Sequence, residues 1–211
     1  MSRTSWSWDK RRRLALAINL VVLCGVTCVA VVSSESSDWQ PLELVLILGA
    51  FAIASDMLSV RVHAMTAGDG REHGWQFTAS APYVLAVVLL GPAPACAIAA
   101  VSLPIVGLRA RTPWREVLTN YANYGTHLVS QGLLAQWAME TWNLAPGDPL
   151  LPLLVIAIYQ FGVGVSYFYN GAYGALAYGE SIRGGIRREW RLQLASEAPI
   201  AIVTGLTAYI Y

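Results

Sequence analysis

The chain has 211 residues, of which 55% are hydrophobic and only 13% are charged, and its mean hydropathy is +0.48. Because soluble domains carry about 25% charged residues, this composition argues against a soluble domain and indicates a membrane protein. The net charge of +1 says little as a sum, since the position of each charge matters more. The length corresponds to one domain.

The first two predicted spans lie near the N-terminus. Residues 14–33 contain no charge and follow a basic tail, residues 1–13. Twenty residues are enough to cross a hydrocarbon core of about 30 Å. They are too long for the apolar region of a signal peptide, and no clear cleavage site follows, so we expect this span to be retained. The second span covers residues 41–60, with Pro41 at a position typical of a helix start.

The next apolar segment, residues 77–108, is free of charge but interrupted in its middle. The interruption consists of Gly91, Pro92 and Pro94. Proline removes backbone donors from a helix. A single kinked span would place the next basic loop outside, whereas a hairpin returns it to the cytoplasm. The pattern therefore predicts a hairpin with legs at 77–90 and 95–108, each about 21 Å long. The legs are either short tilted spans or a re-entrant pair.

Three further spans complete the predicted architecture, at residues 117–139, 151–178 and 192–211. The fold class is thus an all-α polytopic transmembrane helix bundle, with five full spans and a short broken hairpin, or about seven membrane helices. Residues 14–211 form one domain. Tyr211 lies within an apolar run without a polar anchor, so we expect the chain to be truncated at its C-terminus.

The basic residues predict the orientation. All fourteen can be placed on one side, in four clusters: Arg3 with Lys10, Arg11, Arg12 and Arg13; Arg61 and Arg71; Arg109, Arg111 and Arg115; and Arg183, Arg187, Arg188 and Arg191. The loops 33–40 and 141–150 carry no Lys or Arg. This positive-inside distribution indicates a multi-pass protein of the bacterial inner membrane with a cytoplasmic N-terminus. Because topology explains the basic clusters, they do not support nucleic-acid binding.

Polar residues recur on one face of the helix that contains residues 117–139. Their spacing is three or four: Asn120, Asn123, His127 and Gln131. Such groups must face the bundle interior. They serve either as interhelical hydrogen bonds, each worth about 0.6–2 kcal/mol, or as a pocket for a small ligand. The following span places small or polar residues four apart: Gly162, Ser166, Asn170 and Gly174. This face predicts close helix packing, and Asn170 could join the polar stripe.

Other polar residues give weaker signals. Asp56 and Glu197 lie near predicted span ends, so we expect both to reach towards the interface. No catalytic motif and no metal-ligand spacing is recognisable, so the sequence predicts no enzyme activity, no cofactor and no metal site. The three cysteines, Cys24, Cys28 and Cys96, are expected to be packing residues.

From about residue 41 onwards, six polar or helix-breaking residues follow one another in a characteristic order. They are Asp56, Ser80, Gly91, Pro92, Asn120 and Asn170. This arrangement resembles the N-terminal membrane regions of bacterial cyclic di-GMP signalling proteins, which precede GGDEF, EAL or HD-GYP domains. The resemblance implies a sensory or anchoring domain, coupled to a cytoplasmic output that is absent from this chain. A homodimer formed through that output domain is a further expectation.

Two other functional classes stay open. One is a small-solute transporter or its substrate-binding membrane subunit, because such proteins also combine about six spans, broken helices and a polar pocket at the midplane. The other is a purely structural membrane subunit. The lipid bilayer is the expected partner for all three classes. An unknown small ligand is a further expected partner of the sensory domain and of the transporter.

Overall fold

The computed structural model describes residues 3–58, 80–145 and 147–210. Within these ranges the chain is all-helical and contains no strand, so the predicted fold class is confirmed at that level. The polar loop predicted at residues 61–76 lies outside the described residues. The α-helices are α1 (Arg3–Val32), α2 (Leu42–Leu58), α3 (Ser80–Leu90), α4 (Pro92–Ala110), α5 (Trp114–Trp142), α6 (Leu151–Tyr178) and α7 (Ile182–Ile210), with a 3-10 helix at Ser36–Trp39.

Three helical segments are long and apolar enough to cross a membrane: Lys10–Val32, Pro92–Arg109 and Leu151–Tyr178. Two shorter apolar segments, Ser80–Leu90 and Glu197–Ile210, accompany them. By length and composition the described chain is therefore compatible with a membrane protein.

The α3–α4 hairpin turns at a single residue. Gly91 has a φ of 87°, a conformation that glycine adopts without the steric cost of a β-carbon. Pro92 and Pro94 do not belong to the connection between the helices but to the first helical turn of α4. There the N–H group that proline lacks would have no partner within the helix, so its absence costs nothing. The predicted length of fourteen residues for the second leg is wrong, because α4 has 19 residues. Of the predicted first leg, residues 77–79 lie outside the described residues and α3 covers the rest.

The described helices share two common ends. At one end, Arg109 Nη1 donates to Met57 O at 2.9 Å, which joins the C-termini of α4 and α2. At the same end of the bundle, the Arg12 guanidinium of α1 lies 5.5 Å from the centre of the Tyr178 ring. Tyr178 is the last residue of α6. We call this the basic end. The opposite end contains the turn at Gly91, where a β-carbon would lie 3.6 Å from Asp38 Oδ2.

Contacts along the helices fix their relative directions. Asn19 Nδ2 donates to Thr119 Oγ1 at 2.8 Å, and a β-carbon at Gly125 would lie 2.7 Å from Val26 Cγ1, so α1 and α5 run parallel. In contrast, α4 and α5 are antiparallel, because Gly132 meets Pro92 near the opposite end. The N-terminus of α5 therefore lies at the basic end.

Helix α3 occupies the centre of the bundle. It contacts α2, α4, α5, α6 and α7, and nearly all of its side chains are buried. Tyr83 lies near its start and makes hydrogen bonds to α2 and α4. A short apolar helix enclosed in this way places its N-terminal residue, Ser80, inside the bundle.

Candidate functional site

A polar cavity of about 140 Å³ lies between α5, α6 and α7, next to the start of α3. All five residues predicted to bind a ligand line it: Asn120, Asn123, His127, Gln131 and Asn170. Because α5 and α6 are antiparallel neighbours, one face of each helix meets the other along this cavity. Two of the predicted packing residues, Gly162 and Ser166, line it as well. Gly174 does not; it lies towards the basic end beside Glu180.

Direct contacts between α5 and α6 form one wall. Asn123 Nδ2 donates to Ser166 Oγ at 3.0 Å and to Asn170 Oδ1 at 3.4 Å. Two turns further along, Gln131 Nε2 donates to the backbone carbonyl of Ile158 at 2.9 Å. The predicted interhelical role of the stripe is thus present in the geometry, together with the cavity.

Gly162 makes room for the Gln131 amide. A β-carbon at this position would lie 2.0 Å from Gln131 Nε2 and 2.2 Å from its Cδ. No side-chain adjustment of a few tenths of an ångström could relieve such an overlap. The glycine therefore leaves room for the Gln131 amide, and a larger residue at this position would force the Gln131 side chain to move.

Two buried amide oxygens face the cavity without a partner. Gln131 and Asn123 are 1% and 6% exposed, and neither Gln131 Oε1 nor Asn123 Oδ1 accepts a hydrogen bond from any described residue. Because the carbonyl of Ile158 can only accept, the Gln131 nitrogen must face it, which leaves Oε1 as the acceptor towards the cavity. An unmet buried polar group costs about 1–3 kcal/mol, so a hydrogen-bond donor in the cavity would stabilise these atoms.

Glu197 also lines the cavity, and its burial was not predicted from the sequence. It is 5% exposed, lines the cavity and accepts a hydrogen bond from the Tyr159 hydroxyl. The prediction that it reaches towards the interface is wrong. That prediction took the basic residues before it as the membrane boundary, whereas α7 begins at Ile182 and brings Glu197 against the middle of α6. The sequence feature that could have indicated this burial is a carboxylate within the last apolar helix.

Asp56 forms a second buried carboxylate site, outside the cavity. It is 2% exposed and accepts a hydrogen bond from Tyr83 at 2.6 Å. The Tyr83 hydroxyl also contacts Ser102 Oγ. The interfacial prediction for Asp56 is therefore wrong too, because α3 and α4 supply polar partners where lipid was expected.

Asn19 is another polar residue that the sequence prediction missed. It donates to Thr119 on α5, and its oxygen accepts from Tyr169 on α6 at 2.6 Å. Since both ends of this buried amide are satisfied, the cluster joins three helices and offers nothing to a ligand. An isolated amide in the first span was the available signal.

The described lining of the cavity carries a negatively charged residue but no positively charged one. This lining contains Glu197 but no Lys or Arg. Tyr124, Tyr159 and Tyr167 add aromatic surface, and the Tyr124 ring lies 4.9 Å from that of His127. Nowhere in the described ranges do three His, Cys, Asp or Glu side chains gather in a way that could hold a metal ion. The site can therefore accept hydrogen bonds and positive charge.

Comparisons with known proteins do not identify the chain. No protein-family model, no curated protein and no solved structure matches it. The functional argument therefore begins from the cavity and from the distribution of charge.

Proposed function

We propose that the chain is a multi-pass sensory or anchoring domain of the bacterial inner membrane, with its N-terminus in the cytoplasm. In this proposal α1, α2, α5, α6 and α7 are full spans, and α3 and α4 form the hairpin between them. The grouping of Arg12, Arg109 and the start of α5 at the basic end supports this orientation, because basic residues are retained on the cytoplasmic side.

The observation that carries the sensory role is the polar cavity. Buried ionisable and amide groups are costly within a bilayer and commonly mark functional sites. Here Gln131 and Asn123 present unmet acceptors beside Glu197, in a space large enough for a small molecule. A purely structural bundle would gain stability by pairing or removing these groups.

A ligand in this cavity would act on the packing of α6 against α7. Glu197 on α7 accepts from Tyr159 on α6. About two turns away the two helices approach closely, since a β-carbon at Gly205 would lie 2.7 Å from Pro152 O. A ligand that competes for Glu197 changes the contact between these helices, and tightly packed helices respond by moving as units. The movement would pass to a cytoplasmic output.

The output class comes from the resemblance to cyclic di-GMP signalling proteins. To test it, the chain in its native host is changed at three cavity residues, with Asn120→Leu, Asn123→Leu and His127→Leu combined. We expect altered cellular cyclic di-GMP with normal membrane insertion. Ser130→Ala is the matched control on the same helix, because among the described residues the Ser130 hydroxyl bonds to the carbonyl of Thr126, within its own helix. Unchanged cyclic di-GMP in the triple variant would refute the signalling role.

A transporter is the second candidate, and one observation favours it. Helix α3 has only 11 residues, is broken from α4 at Gly91, and begins at Ser80 on the cavity. Discontinuous helices that end at a midplane site are typical of secondary transporters. Flux of a cavity ligand across proteoliposomes would establish this alternative, whereas saturable binding without flux supports the sensory role.

A further inference from the structure

We propose that the polar cavity binds a small organic ammonium cation, with Glu197 as its counter-ion. This inference rests on the proposed function, since it assigns a ligand class to the same cavity. It follows from three properties of the described lining: the kind of hydrogen bond it leaves open, the sign of its charge, and its size.

Two amide oxygens of the lining are open hydrogen-bond acceptors. Gln131 Oε1 is fixed as an acceptor because its amide nitrogen is held by the carbonyl of Ile158 at 2.9 Å. Asn123 directs its nitrogen to Ser166 and Asn170, and its oxygen has no described partner. A ligand that brings donors would satisfy these two oxygens. An ammonium group has three N–H donors and no acceptor.

The charge of the lining selects a cation among donor ligands. Glu197 is the only charged residue among the described residues that line the cavity. An anion would meet this carboxylate without compensation. A neutral alcohol could donate to an amide oxygen but would leave the charge of the carboxylate, which accepts from Tyr159, without a counter-ion among the described residues that line the cavity. The aromatic faces of Tyr124 and Tyr167 favour a cation further.

The size of the cavity limits the ligand. Since one water takes up about 30 Å³ of liquid volume, a cavity of about 140 Å³ accommodates a short-chain amine and not a nucleotide. A primary amine with two or three carbons would place its ammonium group beside Glu197 and its carbons beside Val84 and Val163, which also line the cavity.

Asp56 provides a matched control within the same chain. Like Glu197 it is a buried carboxylate that accepts from a tyrosine hydroxyl. Unlike Glu197 it does not line the cavity. Neutralising either residue perturbs the bundle in a similar way, but only Glu197→Gln removes a charge that a cavity ligand would meet.

The experiment measures thermal unfolding of the full chain in phosphatidylcholine nanodiscs, titrated with propylammonium chloride. Sodium chloride at equal ionic strength and 1-propanol are the comparison probes. We expect saturable stabilisation by propylammonium, from which an apparent Kd follows. Glu197→Gln should weaken this Kd by about tenfold or more, since hydrogen bonds to charged groups are the stronger class. Asp56→Asn should leave the Kd unchanged.

Distinct results overturn distinct steps. Equal stabilisation by 1-propanol that survives Glu197→Gln would overturn the cation but leave the cavity as a ligand site. Equal stabilisation by sodium chloride would assign the site to an alkali ion instead. A tenfold loss in Asp56→Asn would show a global effect and overturn the assignment to the cavity. No saturable effect of any probe would overturn both this inference and the ligand-dependent form of the proposed function. If Glu197→Gln does not fold, Asn123→Leu removes one acceptor and must weaken the propylammonium Kd.

Discussion

Gly162→Ala tests how α5 and α6 fit together at the cavity. The new β-carbon would lie 2.0 Å from Gln131 Nε2, so the amide must leave its place. Its hydrogen bond to the carbonyl of Ile158 is then lost. A buried polar group left unmet costs about 1–3 kcal/mol, and overpacking adds about 1–3 kcal/mol. Together these two costs give an expected net destabilisation of about 2–6 kcal/mol.

Gly164→Ala is the matched control, two residues along the same helix. A β-carbon at Gly164 would meet nothing within 4 Å. There the substitution should be neutral or should stabilise by about 0.4–1 kcal/mol, because alanine restricts the unfolded chain. The assay is reversible unfolding of both variants in mixed micelles, followed by tryptophan fluorescence. If Gly162→Ala is as stable as Gly164→Ala, the assigned contact between Gly162 and Gln131 is wrong.

A double variant separates the clash from other effects of the alanine. Gln131→Ala alone should cost stability, since it removes the hydrogen bond to Ile158 O. In the Gly162→Ala background the same change should cost little or should restore stability, because the overlapping amide is gone. Additive losses would mean that the two residues do not interact, since non-additivity is expected only for residues in contact.

Two further predictions concern packing outside the cavity. Gly132→Ala should destabilise by about 1–3 kcal/mol, because its β-carbon would lie 2.6 Å from Pro92 Cβ; unfolding equal to that of the unsubstituted chain would argue against this α4–α5 contact. Tyr121→Phe should cost about 1 kcal/mol, because the Tyr121 hydroxyl donates at 2.5 Å to Ala100 O. Four residues on, Pro104 has no backbone N–H that could donate to this carbonyl. In a Pro104→Ala background the cost of Tyr121→Phe should fall, and an unchanged cost in a double-mutant cycle would contradict the explanation.

Periodicity in the sequence carried much of the information about the site. The spacing of Asn120, Asn123, His127 and Gln131 placed them on one face of a helix, and in the structure they line one cavity. Asn170 lines it too, as expected from its position opposite the stripe. Helical geometry relates residues three and four apart directly, so this part required no knowledge of neighbouring helices.

The depth of the carboxylates could not be predicted in the same way. Asp56 and Glu197 were placed near the interface because each lies close to an end of its predicted span, 41–60 or 192–211. Their burial depends on Tyr83 and Tyr159, which come from helices distant in sequence. Whether a charge in an apolar helix meets lipid, water or a tyrosine hydroxyl is a tertiary property that one helix does not encode.

The hairpin shows a similar limit. The sequence signal marked Gly91, Pro92 and Pro94 as a joint interruption, but proline breaks a helix only beyond its first turn. Because α4 starts at Pro92, the second leg is long enough to cross a membrane. The first leg is not, and its burial by five neighbouring helices explains how so short a helix is held in place.

Access of an ammonium reagent to the cavity tests the central claim most directly. Ser166→Cys would be placed in a background where Cys24, Cys28 and Cys96 are alanine, and treated with aminoethyl methanethiosulfonate. Ser166 lines the cavity and accepts from Asn123. We predict that the thiol reacts with this cationic reagent faster than with its sulfonate analogue, and that propylammonium slows the reaction while 1-propanol does not. A thiol that reacts with neither reagent, or at a rate that propylammonium leaves unchanged, would contradict a cation site in this cavity.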